Sequence, residues 1–410
     1  MHARTWLIPH DLDANFRRLF CASGATNLGD GLLLAAGPLY LASLTSSPAA
    51  VGAAVFVQQL PWLLFALLSG AVVDRIDRRR LVVFVDMCRA TVMAALALGA
   101  FFDGVSVAAV YVVLFILGTG ETLADNATSA LTVAVVPATR IGHANSRLGV
   151  TFTLGNQLVG PPVGALLFSL GSAVPFAVQA LMFATGAVLI SRVSVHEPVP
   201  EDRARTSLTR DIREGLAWLR HNRPMLVMVL SILIMNVAFT AAFATWVLYC
   251  TVLLGLTNLQ FGLLVTCSAL GGLAGPWVHD RVAPRLGYIG IVRAGFIIEG
   301  VVHLVLATAP NPWVVAGTMV VFGVHTMVWG AAAVTVRQQV TPTRLLGRVT
   351  SVYFMASIGG SAVGAGIGAV IAQGFGLTAA FWASGAVMLF VAASAWRTLA
   401  GLQPPAIRNG

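Results

Sequence analysis

Lysine is absent from this sequence, and all 25 basic residues among its 410 positions are arginines. A phosphate-binding P-loop requires the lysine of its Gly-Lys-Ser/Thr ending, and a Schiff base to retinal or pyridoxal phosphate requires a lysine amine. The sequence therefore excludes ATP hydrolysis by a P-loop and both of these cofactors, and we expect no cofactor. Exclusive use of arginine is also typical of bacteria with GC-rich genomes.

Charge of either sign is scarce. Charged residues make up 10% of the chain and hydrophobic residues 57%, whereas a soluble domain is about a quarter charged. A larger core cannot account for the deficit, because a surface that faces water still needs polar side chains. The composition therefore indicates that lipid surrounds most of the chain.

Cysteine is scarce as well, and its four residues lie inside or beside apolar runs. None of them forms a Cys-x-x-Cys pair, so their spacing does not suit a metal. We expect buried structural thiols and no bound metal. The sequence also contains no nucleophile elbow and no paired cytoplasmic carboxylates, so we expect that the protein is not an enzyme.

Long apolar runs are abundant, and about 20 apolar residues suffice for a helix to span a membrane. Twelve runs of this length follow one another, at 17–43, 50–73, 80–102, 106–134, 147–170, 172–194, 225–253, 258–278, 287–308, 312–336, 349–372 and 375–397. Twelve such helices could not share one aqueous core. The sequence therefore predicts an all-α integral membrane protein with twelve transmembrane helices.

Arginines mark one side of the predicted membrane. They occur in alternate connections and near both termini, at Arg17, Arg18, Arg75, Arg78, Arg79, Arg80, Arg140, Arg147, 203–223, Arg281, Arg285, Arg337, Arg344, Arg348, Arg397 and Arg408. The intervening short loops contain none, so the positive-inside rule places both termini in the cytoplasm. We expect a multi-pass protein of the bacterial cytoplasmic membrane. The net charge of +9 does not indicate nucleic acid, because the arginines are not gathered in one domain.

The longest polar segment, 196–224, divides the runs into six and six. Within it, apolar residues recur at helical spacing among charged ones, at Leu208, Ile212, Leu216 and Leu219. This segment is either an amphipathic helix at the cytoplasmic surface or a solvated linker. We expect an N-terminal six-helix half at 1–195 and a C-terminal six-helix half at 225–410.

The two halves repeat short motifs at a nearly constant offset. Three pairs show it: Asp74 with Asp280 at 206 positions, Arg140 with Arg344 at 204, and Gly164 with Gly368 at 204. Parallel repeats are the plan of a carrier whose site lies between two pseudo-symmetric halves.

The connection after the second run resembles the signature loop of the major facilitator superfamily, roughly G-x-L-A-D-R-x-G-R-K. The matching residues are Gly70, Asp74, Arg75, Arg78 and Arg79, with a weaker second copy at Asp280 and Arg281. Asp77 stands where the pattern has glycine. The resemblance covers the whole chain and implies a cytoplasmic latch, whose arginines we expect to pair with acids on neighbouring helix ends.

Two further motifs resemble those of exporters in this superfamily. The fifth run contains Gly160, Pro161, Pro162, Val163 and Gly164, which resemble a G-P-x-x-G-G pattern. Proline bends a helix and glycine allows close packing, although an ordinary kink would need the same residues. The first run contains Asn27, Leu28, Gly29, Asp30 and Gly31, which resemble the opening of the enterobactin and macrolide efflux branch. The resemblance implies efflux, as in multidrug-resistance antiporters.

Ionisable groups inside apolar runs are candidate transport residues, because each is costly in hydrocarbon unless it is paired or hydrated. The candidates for proton coupling or the substrate pathway are Asp30, Glu121, Asp125, Glu299 and His303. A buried carboxyl group can bind and release protons, as a proton-coupled carrier requires, or it can serve as an acceptor that fixes helix packing. His325 is expected to be a polar wall residue.

Asp30 is the leading candidate for proton coupling. It lies about 20 Å along the first run, near the middle of the membrane. Gly29 and Gly31 are expected to leave room for water or substrate beside it. We expect no arginine near the midplane of the same half, so that Asp30 is unpaired.

These features predict a secondary transporter that exports small amphipathic organic molecules by proton-coupled alternating access. Its expected partners are a small-molecule substrate, protons and the lipid bilayer, without nucleic acid, and we expect a monomer. The first alternative is an importer with the same fold, against which the motif in the fifth run argues. A membrane enzyme and a channel are further alternatives; the repeat and the latch motif favour a carrier over a channel.

Overall fold

The computed structural model describes residues 13–73, 76–194, 208–309 and 311–402, and the regular elements in these ranges are all helices. Lipid imposes this outcome, because a helix satisfies its backbone hydrogen bonds within the segment that crosses the hydrocarbon. The predicted all-α fold class is therefore confirmed.

Six spans precede the long polar segment. They are α1 (Ala14–Leu44), α2 (Pro48–Val73), α3 (Arg78–Phe101), α4 (Val107–Val135), α5 (the consecutive pieces Ile141–Thr151, Phe152–Val159 and Gly160–Leu170) and α6 (Val174–Ser191). A shorter helix, Leu208–His221, follows and is called the linker helix.

Six more spans follow the linker helix. They are α7 (the pieces Arg223–Phe243, Trp246–Leu248 and Tyr249–Leu253), α8 (258–286), α9 (288–308), α10 (Pro312–Val340), α11 (Leu346–Phe375) and α12 (Ala379–Leu399). The spans α8 and α9 form one continuous helix, Asn258–Thr308, apart from a break at Gly287, where φ is +66°. The twelve spans of the described ranges agree with the twelve predicted runs.

Polar residues in the loops set where several spans begin. The side chains of Asp77, Ser106, Asn222 and Asn311 each accept a hydrogen bond from a backbone N–H in the first turn of the following helix. Such caps satisfy donors that the helix itself leaves without partners. Asp77, the departure from the superfamily pattern, is therefore the N-cap of α3.

The fold divides into two compact units. The first contains α1, α2 from Leu60 onward, α3 to α6, and Thr257–Thr266 at the start of α8. The second contains Ser46–Gln59 at the start of α2, the linker helix, α7, the rest of α8, and α9 to α12. Each unit is thus built mainly from consecutive spans, with one short segment from the other half of the sequence.

Glycines bring α5 directly against α1 in the first unit. A Cβ atom at Gly160 would collide with the backbone of Gly31, and one at Gly164 would collide with the carbonyl oxygen of Leu32. Helices in membranes associate through such close backbone approaches, because lipid provides no hydrophobic force between them.

The second unit repeats this contact between α11 and α7. A Cβ atom at Gly364 would collide with the carbonyl oxygen of Val237, and one at Gly368 would collide with that of Ala241. Gly364 and Gly368 stand 204 positions after Gly160 and Gly164. The internal repeat is therefore present in the tertiary packing.

Two consecutive prolines distort α5. Pro161 and Pro162 lack backbone N–H groups, so they donate no hydrogen bonds to the carbonyl oxygens four residues earlier. The segment before them, Phe152–Val159, is a π-helix, which is a common response to a disturbed hydrogen-bond ladder. The carbonyl oxygen of Leu158 accepts a hydrogen bond from Oγ1 of Thr266 at 3.3 Å. The proline motif is thus preceded by a π-helical turn, and the carbonyl group of Leu158, which lacks its usual backbone donor, accepts a side-chain hydrogen bond instead.

The described part of the long polar segment is a helix that packs on α11. Glu214 forms an ion pair with Arg348, and a Cβ atom at Gly215 would lie 2.9 Å from the carbonyl oxygen of Arg348. Leu219 is fully buried, whereas Leu216 is exposed. Residues Leu208–His221 therefore form a helix that packs one apolar side chain against protein. Its place at the cytoplasmic surface stays a prediction.

The expectation of buried thiols is wrong for two cysteines. Cys21 on α1 and Cys88 on α3 are exposed, while Cys250 is buried. Hydropathy alone could not distinguish them, because a membrane helix has apolar residues on its lipid face as well as on its packed face.

Candidate functional site

An arginine occupies the interior of the first unit. Arg89, on α3, is 4% exposed, and its Nη2 atom lies 2.6 Å from Oδ1 of Asp30 on α1. The expectation that Asp30 is unpaired is therefore wrong. Sequence patterning misses Arg89 because this residue lies inside the apolar run 80–102, whereas the arginines that indicate topology lie in the connections between runs.

A second carboxylate shares this arginine. Oδ1 of Asp86, one turn before Arg89 on α3, lies 3.5 Å from Nη1 of Arg89. Asp86 is 2% exposed, and its Oδ1 atom has no hydrogen-bond partner among the described residues. Arg89 therefore stands between two carboxylates, closer to Asp30 than to Asp86. The sequence signal for both residues was the pair Asp86-x-x-Arg89 in an apolar run.

Neighbouring helices shape the space around Arg89. Its guanidinium carbon lies 3.9 Å from the ring centre of Phe183 on α6. A Cβ atom at Gly120 on α4 would lie 3.0 Å from both Cγ and Cδ of Arg89, so this glycine leaves room for the arginine stem. Gln179 on α6 is 1% exposed, and neither polar atom of its amide has a hydrogen-bond partner among the described residues. The interior thus holds more polar groups than its protein contacts satisfy.

Glu121 and Asp125 on α4 extend this group toward the surface of the unit. Both interact electrostatically with Arg89 and with Asp30. Glu121 is half-buried and Asp125 is exposed. Asp30, Asp86, Glu121 and Asp125 therefore surround one arginine, and we call these five residues the acidic cluster. When all five are charged, the acidic cluster carries an excess of negative charge.

The glycines beside Asp30 have a different role from the one expected. A Cβ atom at Gly31 would lie 2.5 Å from the carbonyl oxygen of Gly155 on α5, and one at Gly29 would lie 3.2 Å from Cβ of Met182 on α6. The expectation that both glycines leave room for water or substrate is wrong, because neighbouring helices fill that room. They instead hold α1 against α5 and α6, which fixes the position of Asp30.

A second buried group lies in the second unit, on α9 and α10. Nε2 of His325 lies 3.0 Å from Oε2 of Glu299, and Nδ1 of His303 lies 3.9 Å from Oε1 of the same residue. All three residues are buried. His325, expected to be a wall residue, is thus the closer partner of Glu299. His325 also stands 204 positions after Glu121, so the two units carry ionisable groups at equivalent places.

Aromatic rings enclose one side of this second group. The rings of Phe243 and Phe381 lie 6.1 and 6.3 Å from the imidazole of His303, and both also contact Trp246. Nδ1 of His303 lies 2.7 Å from the carbonyl oxygen of Glu299, while its Nε2 atom has no hydrogen-bond partner among the described residues. Of the two imidazoles, only that of His325 is therefore within hydrogen-bond distance of the Glu299 carboxylate.

The latch motif is only partly within the described ranges, since Asp74 and Arg75 lie outside them. Arg79 donates a hydrogen bond to the carbonyl oxygen of Val193, beyond the end of α6, at 3.2 Å. Gly70 lies in the last turn of α2, Arg78 is the first residue of α3, and Asp280 is exposed on α8.

The second copy of the motif also makes its contact without an acid. The guanidinium of Arg281 lies 3.5 Å from the ring centre of Trp277 and donates to the carbonyl oxygen of the same residue. Among the described residues, the contacts of Arg79 and Arg281 are thus with a carbonyl group and an aromatic ring. Pairing of the motif arginines with acids stays a prediction.

Curated proteins with similar sequences include two kinds of exporter. Macrolide efflux protein A of Streptococcus pyogenes is 27% identical over 225 residues, which is 52% of this chain and 53% of the relative. The chain thus matches about half the length of that relative. Enterobactin exporter EntS of Escherichia coli is 24% identical over 398 residues, which is 92% of this chain and 93% of the relative.

Solved transporters share the fold. The nucleoside transporter NupG superposes with a TM-score of 0.79 at 13% identity, covering 94% of this chain and 99% of NupG. A bacterial homologue of the iron transporter ferroportin, in an inward-facing state, superposes with a TM-score of 0.76 at 16% identity. The superposition covers 94% of this chain and 98% of the homologue. At these identities the likeness shows the fold alone.

One family accounts for the twelve spans, the repeat and the signature loop together. The profile of the family described as transmembrane secretion effector matches residues 8–401. The match covers both halves of the repeat. The chain therefore belongs to the family of the major facilitator superfamily that is described as transmembrane secretion effector.

Proposed function

We propose that this protein exports small amphipathic organic molecules across the bacterial cytoplasmic membrane in exchange for protons. The observation that carries the proposal is the acidic cluster, in which four carboxylates surround Arg89 alone. The direction of transport is supported by the family description and by the two kinds of exporter among the relatives. These relatives also favour an organic cargo over an inorganic ion.

The excess of acid is the reason to expect proton coupling. A charge held within the hydrocarbon region is costly unless it is paired or hydrated, and Arg89 can neutralise only one of the four carboxylates. The remaining carboxyl groups must be hydrated, take up protons or bind a cationic group of the cargo. Competition between protons and cargo for the same carboxylates would couple the two fluxes.

Asp30 is our leading candidate for the coupling proton, and Glu121 is the next. A proton on Asp30 would remove the charge that holds Arg89 at 2.6 Å, and the guanidinium would then be drawn toward Asp86. In our proposal, opening to an acidic exterior loads the proton, and opening to the cytoplasm releases it. Glu299 and its two histidines provide a second proton-binding group in the other unit.

The proposed cycle also uses the topology of the chain. We propose that both termini are cytoplasmic, that the halves 1–195 and 225–410 alternate in access, and that the motif around Asp74 is the latch of the cytoplasmic side. Asp125, being exposed, would be the carboxylate that exchanges protons with water.

The test is transport into inside-out vesicles with an imposed pH gradient, using a macrolide and a catecholate siderophore as probes. Wild-type protein should accumulate one of the probes when the lumen is acidic. In the variant Asp30→Asn, the accumulated amount of the probe should be lower by a factor of at least about ten. The variant should still exchange the probe when no gradient is present, because the amide mimics the protonated carboxyl group.

The matched control is Asp103→Asn in the loop between α3 and α4, since Asp103 is exposed and has φ of +53°, a conformation that asparagine tolerates. This control should transport normally. Accumulation by Asp30→Asn at the wild-type level would remove Asp30 from the mechanism, and uptake in the opposite direction would identify an importer.

A further inference from the structure

An open groove of about 490 Å³ lies on the surface of the second unit, between α9 and α12. Its lining includes Ile297, Leu389 and Ala393, together with Trp396 and Arg397 near the end of α12. Leu389 precedes Arg397 by eight residues, so the groove extends about 12 Å along α12 from its charged end into the apolar region. It is therefore apolar along its length and basic at one end.

Two arginines provide the charge at this end. Arg397 is in the last turn of α12. The guanidinium of Arg293, on α9, lies 3.8 Å from the ring centre of Trp396, and its Nε atom is buried without a hydrogen-bond partner among the described residues. No acid within the described ranges forms an ion pair with either arginine. Among the described residues, the positive charge of the groove therefore has no acidic partner.

Arg293 lies well inside α9 rather than at its end. It follows the break at Gly287 by six residues, which places it about 9 Å along α9. An arginine at such a depth is costly unless an anion accompanies it or its side chain reaches the interface. Ile297 and Trp396 are each about 40% exposed, so the groove is accessible from the surface of the unit.

We propose that this groove binds an anionic phospholipid, with its phosphate paired to Arg293 and Arg397 and one acyl chain along Ile297 and Leu389. The choice of a lipid rests on the combination of a basic end and an apolar length, since a free phosphate would use only the first. Basic pockets between membrane helices on the cytoplasmic side suit anionic headgroups, and the arginine-rich ends of the spans mark that side. The inference is independent of the cargo and of the coupling ion.

Native mass spectrometry of the full chain in detergent tests the proposal, with phosphatidylglycerol and phosphatidylcholine of the same acyl chains as probes. The wild-type protein should retain phosphatidylglycerol in preference to phosphatidylcholine. The variants Arg293→Gln and Arg397→Gln should each weaken this retention about fivefold, and the double variant should abolish the preference. The matched control is Arg281→Gln, because Arg281 also lies over a tryptophan ring but lines no part of the groove.

A second variant tests the apolar part of the groove. Ala393 is exposed, so Ala393→Phe should fill the groove without disturbing the packed interior and should reduce retention of phosphatidylglycerol. The proposal is overturned by equal retention of both lipids, by an equal loss in Arg281→Gln, or by lipid retention in Ala393→Phe at the wild-type level. Displacement of the lipid by inorganic phosphate alone, or a dimer in place of a lipid adduct, would also overturn it.

Discussion

At the scale of single residues, Arg89 is the cation of the acidic cluster in the first unit. An ion pair inside a protein contributes little net stability, because both charges lose their hydration, but removal of one partner leaves the other charge uncompensated. Arg89 has four acidic neighbours on α1, α3 and α4. Its loss should therefore affect stability and, in the proposed mechanism, proton coupling.

The variant Arg89→Met tests this role. It keeps an unbranched side chain beside Phe183 but leaves Asp30 and Asp86 without their cation, so we expect the free energy of unfolding to fall by about 3–5 kcal/mol. The measurement is unfolding of the purified protein in mixed detergent micelles. Addition of Asp30→Asn to the same chain should recover part of the loss, because it removes one of the uncompensated charges.

The control for this prediction is Arg17→Met. Arg17 lies exposed in the first turn of α1, so its replacement should change stability by less than about 0.5 kcal/mol. Equal effects of the two arginine variants, or a double variant less stable than Arg89→Met, would contradict the role assigned to Arg89.

At the scale of the elements, close backbone contacts replace the hydrophobic force that assembles helices in water. The contact of α5 with α1 positions Asp30, and α11 makes the equivalent contact with α7. In both pairs, glycines face a carbonyl oxygen of the partner helix. The glycines of the proline motif are thus packing residues, while the prolines produce the π-helical segment before them.

Two glycines of α11, two residues apart, test this account. Gly364→Ala should reduce the free energy of unfolding by about 1–3 kcal/mol, because its methyl group would meet the backbone at Val237. Gly366→Ala has no neighbouring atom within 4 Å, so it should be neutral or stabilising by about 0.4–1 kcal/mol. Unfolding in mixed micelles would measure the stability of both variants. Equal losses would contradict this account, because only Gly364 contacts α7.

At the scale of the whole molecule, the arginine distribution predicts the orientation in the membrane. In a chain whose four cysteines are replaced, Ser172→Cys between α5 and α6 should react with a membrane-impermeant thiol reagent added to intact cells. Ile76→Cys, beside the start of α3, should react only after the cells are opened. Both residues lie outside the spans, so the reverse labelling pattern would overturn the positive-inside assignment.

The sequence by itself determined the solvent, the number of spans and the repeat. These properties depend on local quantities: the length of an apolar run, the placement of arginine between runs, and motifs such as Asp74-Arg75 with Asp280-Arg281. A membrane-spanning run must form a helix whatever its neighbours are, because its backbone has no other partner in lipid. For this reason the twelve predicted spans agree with the described helices.

Only the tertiary structure decided which ionisable groups meet. Asp30 and Arg89 are 59 residues apart, and Glu299 and His325 are 26 apart, so no spacing along one helix could reveal either pair. The role of the glycines beside Asp30 was also decided by the tertiary structure. Gly29 and Gly31 can be recognised as packing residues only when the neighbouring helices are known. Helix-to-helix contacts in lipid depend on the shape of small residues rather than on hydropathy, and that shape is expressed only when two helices are brought together.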